Sequence, residues 1–487
     1  MENVVDAVRG MRDVLPEENL RHQHILAQLN AVLVGHGYQA IDLPLLEHRD
    51  LYVRKLGEEL AGKIYEFSFH GRDLVLRPEW TASVLRAYIS KMSDIALPLR
   101  LRYSGPVFRY ERPQRGTWRQ FTQLGVEMIG AAAPRADAEV LGMACAGLQA
   151  AAVTGYRITL GHIGIIRSLL GSLGVSERTR SVLTWSLERM RARGVDAVRD
   201  ALLNEIEGER EGFDTTLLDG LDDTQAEGLL LHTLRSIGVN LQFGTRPPEE
   251  IVRRLVRTLR RTDQRATIER AIAFLAELSV VRGAPAATLQ VLRDVVSRYA
   301  LPDPGFAELQ SLIDTLPLHG VPLEAVTLDF GLGRGLHYYT GMMFEIDDAS
   351  GMQICGGGRY DELVTALGGR HSVPAVGFAY GVERVVLASQ SPAPVAPTTV
   401  SLIAEGRDAY LYALQCAHQL RAAGFAVVLD ERERPVTNHV REAQRRGNIC
   451  LVVTDADASN ATLQWRDVRD NRVLTVPACI AELEALR

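Results

Sequence analysis

Residues 108–121 read FRYERPQRGTWRQF, a stretch in which four arginines surround one proline and one glycine. Polar and apolar residues alternate on both sides of the RPQRG turn. This predicts the two strands of a hairpin, because successive side chains of a strand point to opposite faces. One predicted face is polar and carries Arg109, Glu111, Arg119, Gln123 and Glu127, whereas the other is apolar and carries Phe108, Leu124, Val126 and Met128.

The polar face of this hairpin allows two interpretations. A hairpin surface that faces water has the same pattern of residues. Arginines at both ends of a turn, however, form a fork suited to a polyphosphate, and carboxylates on the same face can receive a cationic group. The second interpretation predicts one site that holds a phosphate chain next to an amine or an imidazole.

The composition indicates that arginine binds the anions. Lysine occurs only at Lys55, Lys63 and Lys91, which excludes the phosphate loop GxxxxGK[ST] throughout and a Schiff-base lysine beyond residue 100. The net charge of −6 argues against a generally basic surface for nucleic acid, although it leaves local basic patches open.

The cysteines and the N-terminal residues bear on the compartment. The five cysteines are far apart and show no metal-binding spacing, so no protein metal site is predicted and a reducing compartment is expected. Acidic residues stand near the N-terminus where a signal peptide needs an apolar run, and no stretch is long and apolar enough to span a bilayer. We therefore expect a cytoplasmic protein without a membrane partner.

The order of helical and strand-like segments predicts an α+β fold in several parts. Residues 1–164 combine a helix with a mainly antiparallel sheet, and residues 165–322 contain long amphipathic segments that predict a helical insertion. Strands resume in residues 323–390, and residues 391–399 are rich in proline, alanine and serine, as is typical of a linker. Residues 400–487 alternate strand and helix and predict a small α/β domain.

Three further segments carry polar residues that suit the same site. LRPEWT stands just before a predicted helix, GRGLHYYTGMMFE contains a glycine-flanked turn, and GFAYGVERVVL begins a helix. Their candidate residues are Glu79, Thr81, Arg334, Tyr338, Tyr339 and Arg384. Taken singly, each residue also fits an ordinary surface or core position. Taken together with the hairpin, these residues favour a single site.

These segments, in their order along the chain, resemble the signature motifs of class II aminoacyl-tRNA synthetases, most closely those of the histidyl-tRNA synthetase family. RGMRDVLPEE resembles the opening of that family, FRYERPQRGTWRQFTQLGVEMIG its motif 2, RGLHYYTGMMFE and GGGRYDELV its histidine-specific segments, and GFAYGVERVVL its motif 3. The C-terminal domain is similar to the anticodon-binding domain of this class. Such a set of motifs is specific for the family and less so for the individual member.

The resemblance implies a catalytic domain in residues 1–164 and 323–390 that activates histidine with ATP and Mg²⁺, transfers it to tRNA and works as a homodimer. Arg109, on the α-phosphate and the substrate carboxylate, and Arg334, on the charge that develops during attack, are the implied catalytic residues. The implied ATP-binding residues are Arg109, Glu111, Arg119 and Arg384. The implied histidine-binding residues are Glu79, Thr81, Arg109, Gln123, Glu127, Arg334, Tyr338 and Tyr339.

Two positions depart from the family pattern. His337 stands where the family usually has Asp, and Trp80 replaces a small residue inside the Glu79–Thr81 pair, so it is expected to reshape the pocket. The chain also resembles the paralogue that serves as regulatory subunit of ATP phosphoribosyltransferase and binds histidine without charging tRNA. That alternative implies the catalytic subunit of ATP phosphoribosyltransferase as partner. The complete motif 2 and the C-terminal α/β domain favour the synthetase, because the paralogue usually lacks both.

Overall fold

The computed structural model describes residues 5–53, 62–208, 221–236, 252–253, 265–333, 338–394, 398–430, 435–466 and 471–486. The chain divides into two compact units, Met1–Pro392 and Ala393–Arg487. The finer boundaries at residues 164, 322 and 390 stay predictions. No helix in the described ranges is both long and apolar enough to cross a membrane.

The first unit contains both strands and helices. Its strands are β1 Gln39–Ala40, β2 Leu46–His48, β3 Tyr65–Phe69, β4 Arg72–Leu76, β5 Leu99–Phe108, β6 Gln120–Ile129, β7 Arg157–His162, β8 Arg282–Gly283, β9 Val326–Asp329, β10 Met342–Asp347, β11 Gln353–Arg359 and β12 Ala375–Gly381. Its α-helices are α1 Pro16–Gly35, α2 Arg49–Val53, α3 Thr81–Ala87, α4 Arg135–Ala150, α5 Ile163–Ser172, α6 Glu177–Trp185, α7 Leu187–Arg193, α8 Val195–Gly208, α9 Asp223–Ser236, α10 Arg265–Ser279, α11 Pro285–Arg298, α12 Phe306–Thr315, α13 Leu363–Ala366 and α14 Val382–Ala388.

A large sheet organises this unit. Within the described residues it has nine strands in the order β1-β5-β6-β12-β11-β10-β7-β9-β8. Neighbouring strands are antiparallel except for the pairs β1 with β5 and β7 with β9. Helices α1 and α4 pack against each other and, with the sheet, enclose the main core. The predicted α+β fold with a mainly antiparallel sheet is confirmed.

The hairpin of residues 99–129 occupies one half of this sheet. Strands β5 and β6 pair antiparallel from Leu99 opposite Ile129 to Phe108 opposite Gln120. β6 in turn pairs with β12, which places Glu127 opposite Gly377. The alternation read from the sequence is therefore the alternation of the folded hairpin, with Leu124, Val126 and Met128 buried in the core.

The segment QAIDLPLLEH after α1 contributes to two sheets. It contains β1 and β2, which belong to different sheets. Pro44 lies between the two strands, and a proline has no amide hydrogen to donate to a sheet ladder. β2 instead pairs with β4, which also pairs with β3, to form a separate three-stranded sheet.

The region predicted as a helical insertion also contributes to the central sheet. Helices fill most of its described residues, and α10 packs against α7 and α8. Strand β8, however, lies inside this region and pairs antiparallel with β9 at the edge of the sheet. The insertion thus joins the sheet on which the site is built.

The second unit is an α/β structure with a mixed sheet. Its elements are β13 Thr399–Glu405, α15 Arg407–Ala422, β14 Ala426–Leu429, α16 Val436–Arg445, β15 Ile449–Thr454, α17 Asp455–Asn460, β16 Thr462–Arg466, β17 Asn471–Thr475 and α18 Val476–Ala485. The strand order is β14-β13-β15-β16-β17. The first three strands are parallel, as the strand–helix alternation predicts, and the last two add antiparallel.

Candidate functional site

A cavity of about 700 Å³ opens over the polar face of the hairpin and the adjoining strands β11 and β12. It brings together sequence-predicted residues from four separate segments of the chain. The predicted residues that line it are Glu79, Thr81, Arg109, Glu111, Gln123, Tyr338, Tyr339 and Arg384. The convergence that the site hypothesis required is therefore present for these residues.

Glu127 lies directly beneath one end of the cavity, and its three hydroxyl partners, Thr81, Tyr103 and Tyr360, line the cavity there. Its side chain is 1% exposed, and its carboxylate accepts hydrogen bonds from Thr81 Oγ1 (2.7 Å), Tyr103 Oη (3.0 Å) and the Tyr360 hydroxyl. Burial raises the pKa of Glu127 to about 8, although the hydroxyl donors favour the charged form and lower it. A cationic ligand placed here would supply the missing positive charge.

Glu79 is a second buried carboxylate at the same end. It is 3% exposed, and it accepts the backbone amides of Thr81 (2.5 Å) and Ala82 (3.0 Å) at the start of α3. Burial raises the pKa of Glu79, while these amide donors and Arg109 lower it. The backbone amides fix the side chain so that it lies between the helix and the cavity.

Gln123 presents an incompletely bonded amide to the cavity. Its Oε1 atom is buried and has no hydrogen-bond partner among the described residues. A buried polar atom without a partner is costly, so such an atom in a cavity wall points to a ligand that donates a hydrogen bond. The acidic end thus offers two carboxylates and one carbonyl oxygen, a set of hydrogen-bond acceptors that suits an ammonium or an imidazole N–H.

Positive groups line the other end of the cavity. Arg109 Nε donates to Pro78 O (2.8 Å), and the guanidinium lies 5.5 Å from the ring centroid of Phe121. Arg384 donates to Gly116 O (2.7 Å), Gln353 O (2.9 Å) and Thr117 Oγ1 (3.1 Å). Backbone carbonyls and one hydroxyl therefore hold both guanidiniums in place beside the turn of the hairpin.

Lys63 and Glu111 form an ion pair at this end. Lys63 Nζ lies 3.4 Å from Glu111 Oε1, and both residues line the cavity. Lys63 was not predicted as a site residue, because a single lysine ahead of a strand carries no recognisable spacing. Its position adds a third cation to a wall that was expected to consist of arginines alone.

Of the predicted residues that the structure describes, Glu127 and Arg119 are not among those that line the cavity. Arg119 donates to Glu111 O (3.1 Å) and Arg9 O (3.0 Å), and its guanidinium covers the ring of Tyr110 at 3.8 Å. It therefore ties the chain near Gly10 to the hairpin. Arg334 and His337 lie outside the described residues, so their predicted contributions stay predictions.

Trp80 lies beneath the site rather than in its wall. Its ring is fully buried, stacks on Tyr103 with centroids 4.9 Å apart, and lies 3.4 Å from the Arg77 guanidinium carbon. Nε1 donates to Gly105 O at 3.4 Å. The tryptophan supports Tyr103, which itself donates to Glu127, so its bulk fills the core and not the pocket.

Glycines on β11 and β12 let side chains approach the sheet closely. A Cβ atom at Gly377 would lie 1.9 Å from Glu127 Oε2, and one at Gly358 would lie 2.7 Å from ring carbons of Tyr339. Gly356, Gly357 and Gly377 line the cavity. The glycine-rich segment thus provides a backbone floor for the cavity.

Some lining residues were missed in the sequence. They are Lys63, Tyr103, Arg191, Glu345 and Tyr360. Glu345 alternates with apolar residues in its strand, a signal that was available but resembles that of any half-buried strand. Arg191 belongs to α7 in the predicted insertion, and only the tertiary structure shows that its Nη1 lies 2.6 Å from Asp329 Oδ2 beside the cavity.

Family comparisons cover most of the chain. The model of the histidyl-tRNA synthetase family matches residues 10–224 and 247–385. The model of the anticodon-binding domain matches residues 398–483, which includes nearly all of the second unit.

Individual relatives agree with these matches. A histidine–tRNA ligase of Methanocaldococcus jannaschii is 30% identical, over 94% of this chain and 94% of its own length. A histidine–tRNA ligase of Cyanothece sp. is 34% identical, over 97% of this chain and 94% of its own. A solved structure, described as an ATP phosphoribosyltransferase regulatory subunit/histidyl-tRNA synthetase from Bacillus halodurans, superimposes with a TM-score of 0.64 at 25% identity and covers 92% of this chain and 97% of its own.

Proposed function

Because the chain belongs to the histidyl-tRNA synthetase family, we propose that the cavity over its central sheet is the site where histidine reacts with ATP. The chain is a class II aminoacyl-tRNA synthetase, a ligase that activates histidine and transfers it to tRNA. One observation carries the proposal for the site: buried carboxylates and paired guanidiniums face each other across a single cavity. The regulatory-subunit alternative is not favoured, because the anticodon-binding domain is present.

The acidic end of the cavity is the proposed histidine pocket. Glu79, Thr81, Gln123 and Glu127 offer oxygen acceptors for the ammonium and imidazole groups of the substrate. Tyr338 and Tyr339 line the same cavity, and their rings pack with centroids 5.0 Å apart. A substrate with an apolar side chain would leave these acceptors unpaired, and such a loss discriminates strongly between ligands.

The cationic end is the proposed ATP site. We assign Arg109, Glu111 and Arg384 to ATP from their positions in the cavity wall. Arg119 and Arg334 are retained as ATP-binding and catalytic residues by resemblance alone. In the reaction a carboxylate oxygen of histidine attacks the α-phosphorus, the bond to the β-phosphate oxygen breaks, and pyrophosphate leaves with that electron pair. The protein then needs no nucleophile; it orients the reactants and stabilises charge.

Mg²⁺ is proposed to enter with ATP. Among the described residues no group of three or more His, Cys, Asp or Glu side chains forms a metal site. Magnesium is commonly held by one or two carboxylates together with substrate phosphates, and Glu345 lines the cavity wall that also contains Gln353. Glu345 therefore fits as a ligand, and the metal would neutralise charge on the phosphates.

Transfer to tRNA and dimer formation complete the proposal. The second unit, which matches the anticodon-binding domain, is the proposed tRNA-reading part.

The three-stranded sheet has an exposed apolar surface that a second copy of the chain would cover. Its residues Leu46, Phe67 and Phe69 are 46%, 43% and 59% exposed. The cytoplasmic location expected from the sequence stays a prediction; the five cysteines are free and buried.

Two assays test the proposed function. Histidine-dependent exchange of pyrophosphate into ATP measures activation, and attachment of labelled histidine to tRNA measures transfer. We expect both activities in the wild-type protein and neither in an Arg334→Ala variant. Arg112→Ala is the matched control for exchange, because Arg112 lies in the exposed turn of the hairpin and not in the cavity wall. Histidine binding without exchange would contradict the assignment as a ligase.

A further inference from the structure

Arg359, the last residue of β11, is buried outside the cavity lining. Its side chain is 2% exposed, yet its guanidinium is well bonded. Nε lies 2.8 Å from Asp137 Oδ1, Nη2 bonds the same oxygen, and Nη1 donates to Asp361 Oδ1 and Ala131 O at 3.0 Å each. A buried cation with this many partners fixes its own backbone in one position.

The two acidic partners connect Arg359 to other parts of the fold. Asp137 is 1% exposed in the first turn of α4, and Asp361 Oδ1 also accepts the amide of Ala375 at the start of β12 (2.9 Å). Burial raises the pKa of Asp137 to about 6, while Arg359 lowers it. Above that pH the ion pair joins helix α4, the end of β11 and the beginning of β12.

The backbone around Arg359 carries two parts of the proposed histidine pocket. Arg359 O accepts the amide of Thr340 (2.8 Å), and Asp361 N donates to Thr340 Oγ1 (2.9 Å). Thr340 directly follows Tyr339, whose ring packs against Gly358. On the other side of Arg359, the hydroxyl of Tyr360 bonds the carboxylate of Glu127. The buried Arg359 is therefore connected to both aromatic residues of the proposed pocket, Tyr339 and Tyr360.

We propose that Arg359 is a positioning residue for the amino-acid substrate. Its ion pairs with Asp137 and Asp361 fix residues 358–361, so that the Tyr360 hydroxyl stays on Glu127 and Tyr339 keeps its place over Gly358. The inference rests on the proposed function, in which Glu127 and its neighbours hold histidine. It assigns to Arg359 an effect on histidine that does not extend to ATP.

We expect Arg359 to affect histidine and not ATP because different residues fix the two ends of the cavity. Arg384 donates to Gly116, Thr117 and Gln353, and Arg109 Nε donates to Pro78, so neighbours outside residues 358–361 hold both guanidiniums. Displacement of Tyr360 removes one of three hydroxyl donors from Glu127. The carboxylate is then harder to ionise, and histidine binding should need a higher pH.

The pH effect can be assigned to Glu127 because Tyr360 bonds its carboxylate directly, whereas Glu79 is held by backbone amides. The titratable groups around it are Glu79, Tyr38, Tyr103 and Tyr360. Burial raises the pKa of all three tyrosines above the usual value, so they stay neutral through pH 9. Glu79 has a raised pKa as well, but its backbone amide donors are independent of Arg359.

The test compares Arg359→Lys, which keeps the charge but loses the forked geometry, with the milder Asp361→Asn. Arg100→Lys is the matched control, because Arg100 pairs with Glu139 of the same helix α4 at 3.2 Å, away from the cavity. KM for histidine and for ATP are measured by pyrophosphate exchange from pH 7 to 9.5, and histidine affinity by equilibrium dialysis. Thermal unfolding verifies that each variant is folded.

We expect Arg359→Lys to raise KM for histidine about 10- to 100-fold, the size of one lost hydrogen bond to a charged group, with KM for ATP within about twofold. The midpoint of the pH dependence of kcat/KM for histidine should move to higher pH. Asp361→Asn should change KM for histidine and this midpoint in the same direction, but by less. Unchanged histidine affinity in a folded Arg359→Lys protein, or equal changes for both substrates, would overturn the positioning role alone. A wild-type protein that binds no histidine would overturn the proposed function as well.

Discussion

The two ends of the cavity are built in opposite ways. At the acidic end the carboxylates of Glu79 and Glu127 are almost fully buried, and their partners are neutral hydroxyl and amide groups. At the cationic end Arg109 and Arg384 are only partly buried, and their partners include backbone carbonyls. Burial opposes the charge of the first pair more strongly than that of the second.

The two ends therefore differ in the charge that they carry before a ligand binds. Burial lowers the pKa of Arg384, while Glu111 and Glu383 raise it, and a guanidinium remains charged near neutral pH in any case. Burial instead raises the pKa of Glu127 into the working range. The cationic end is therefore charged before ATP arrives, whereas the acidic end acquires its full charge with the cationic substrate.

Removal of Arg109 from the cationic end should have the largest effect on activity. We expect Arg109→Ala to lower kcat for pyrophosphate exchange by roughly 10³-fold, because one group that stabilises transition-state charge is worth about that much. The measurement is exchange at saturating histidine and ATP. A loss confined to KM for ATP would show that Arg109 only binds substrate, and Arg112→Ala should leave the rate unchanged.

Neutralisation of the acidic end should separate binding from stability. We expect Glu127→Gln to weaken histidine binding roughly 100-fold, because a buried partner of the substrate cation is lost. The native pKa of Glu127 is about 8 against an ordinary 4.5, so wild-type stability falls as pH rises between these values.

The same variant should be the more stable one at alkaline pH without ligand. It lacks the ionising group, so at pH 9 its free energy of unfolding should exceed that of the wild type by on the order of 2 kcal/mol. Denaturant unfolding at pH 5 and pH 9 measures this difference. If the free energy of unfolding has the same pH dependence in both proteins, the raised pKa does not belong to Glu127.

A methyl group in the floor should affect the acidic end selectively. The Cβ atom of Gly377→Ala would lie 1.9 Å from Glu127 Oε2 and 2.3 Å from Val126 O. We expect unfolding to become easier by about 1–3 kcal/mol and histidine affinity to fall, with KM for ATP little changed. Gly35→Ala is the control, since its added atom has open space around it and should not destabilise the protein.

The smallest expected effect concerns Arg191 of α7. Its guanidinium lines the cavity and pairs with the buried Asp329, so it adds positive charge near the phosphate chain. Arg191→Ala should raise KM for ATP about fivefold at low ionic strength and less at high salt. Arg193→Ala is the control on the same helix, because Arg193 is outside the cavity wall, and it should leave KM for ATP unchanged at either salt concentration. If both variants raise KM equally, the effect comes from the net charge of the protein and not from the position of Arg191.

The sequence revealed the hairpin and most of its polar face because a strand repeats every two residues. Glu127 and Gln123 follow directly from that alternation. For Arg119 the alternation gave the correct face but could not show that the carbonyls of Arg9 and Glu111 accept hydrogen bonds from its guanidinium. It also missed Arg191, because the approach of the insertion to β9 depends on long-range packing.

Glycine and tryptophan show a second limit of sequence reasoning. Trp80 beside Glu79 suggested a reshaped pocket, yet successive residues there point in different directions and the ring lies under Tyr103. Gly377 gave no individual signal, although its missing side chain decides whether Glu127 fits. Both depend on which residues become neighbours in the folded chain, and this is decided by contacts between segments that are distant in the sequence.

The raised pKa of Glu127 has a consequence for calorimetry. Near pH 7 this carboxyl holds its proton in the protein without substrate, and a bound ammonium group favours the ionised form. Formation of the complex then releases close to one proton into the solvent. Titration heats recorded in phosphate and in Tris will therefore differ by nearly the difference between the protonation enthalpies of these two buffers.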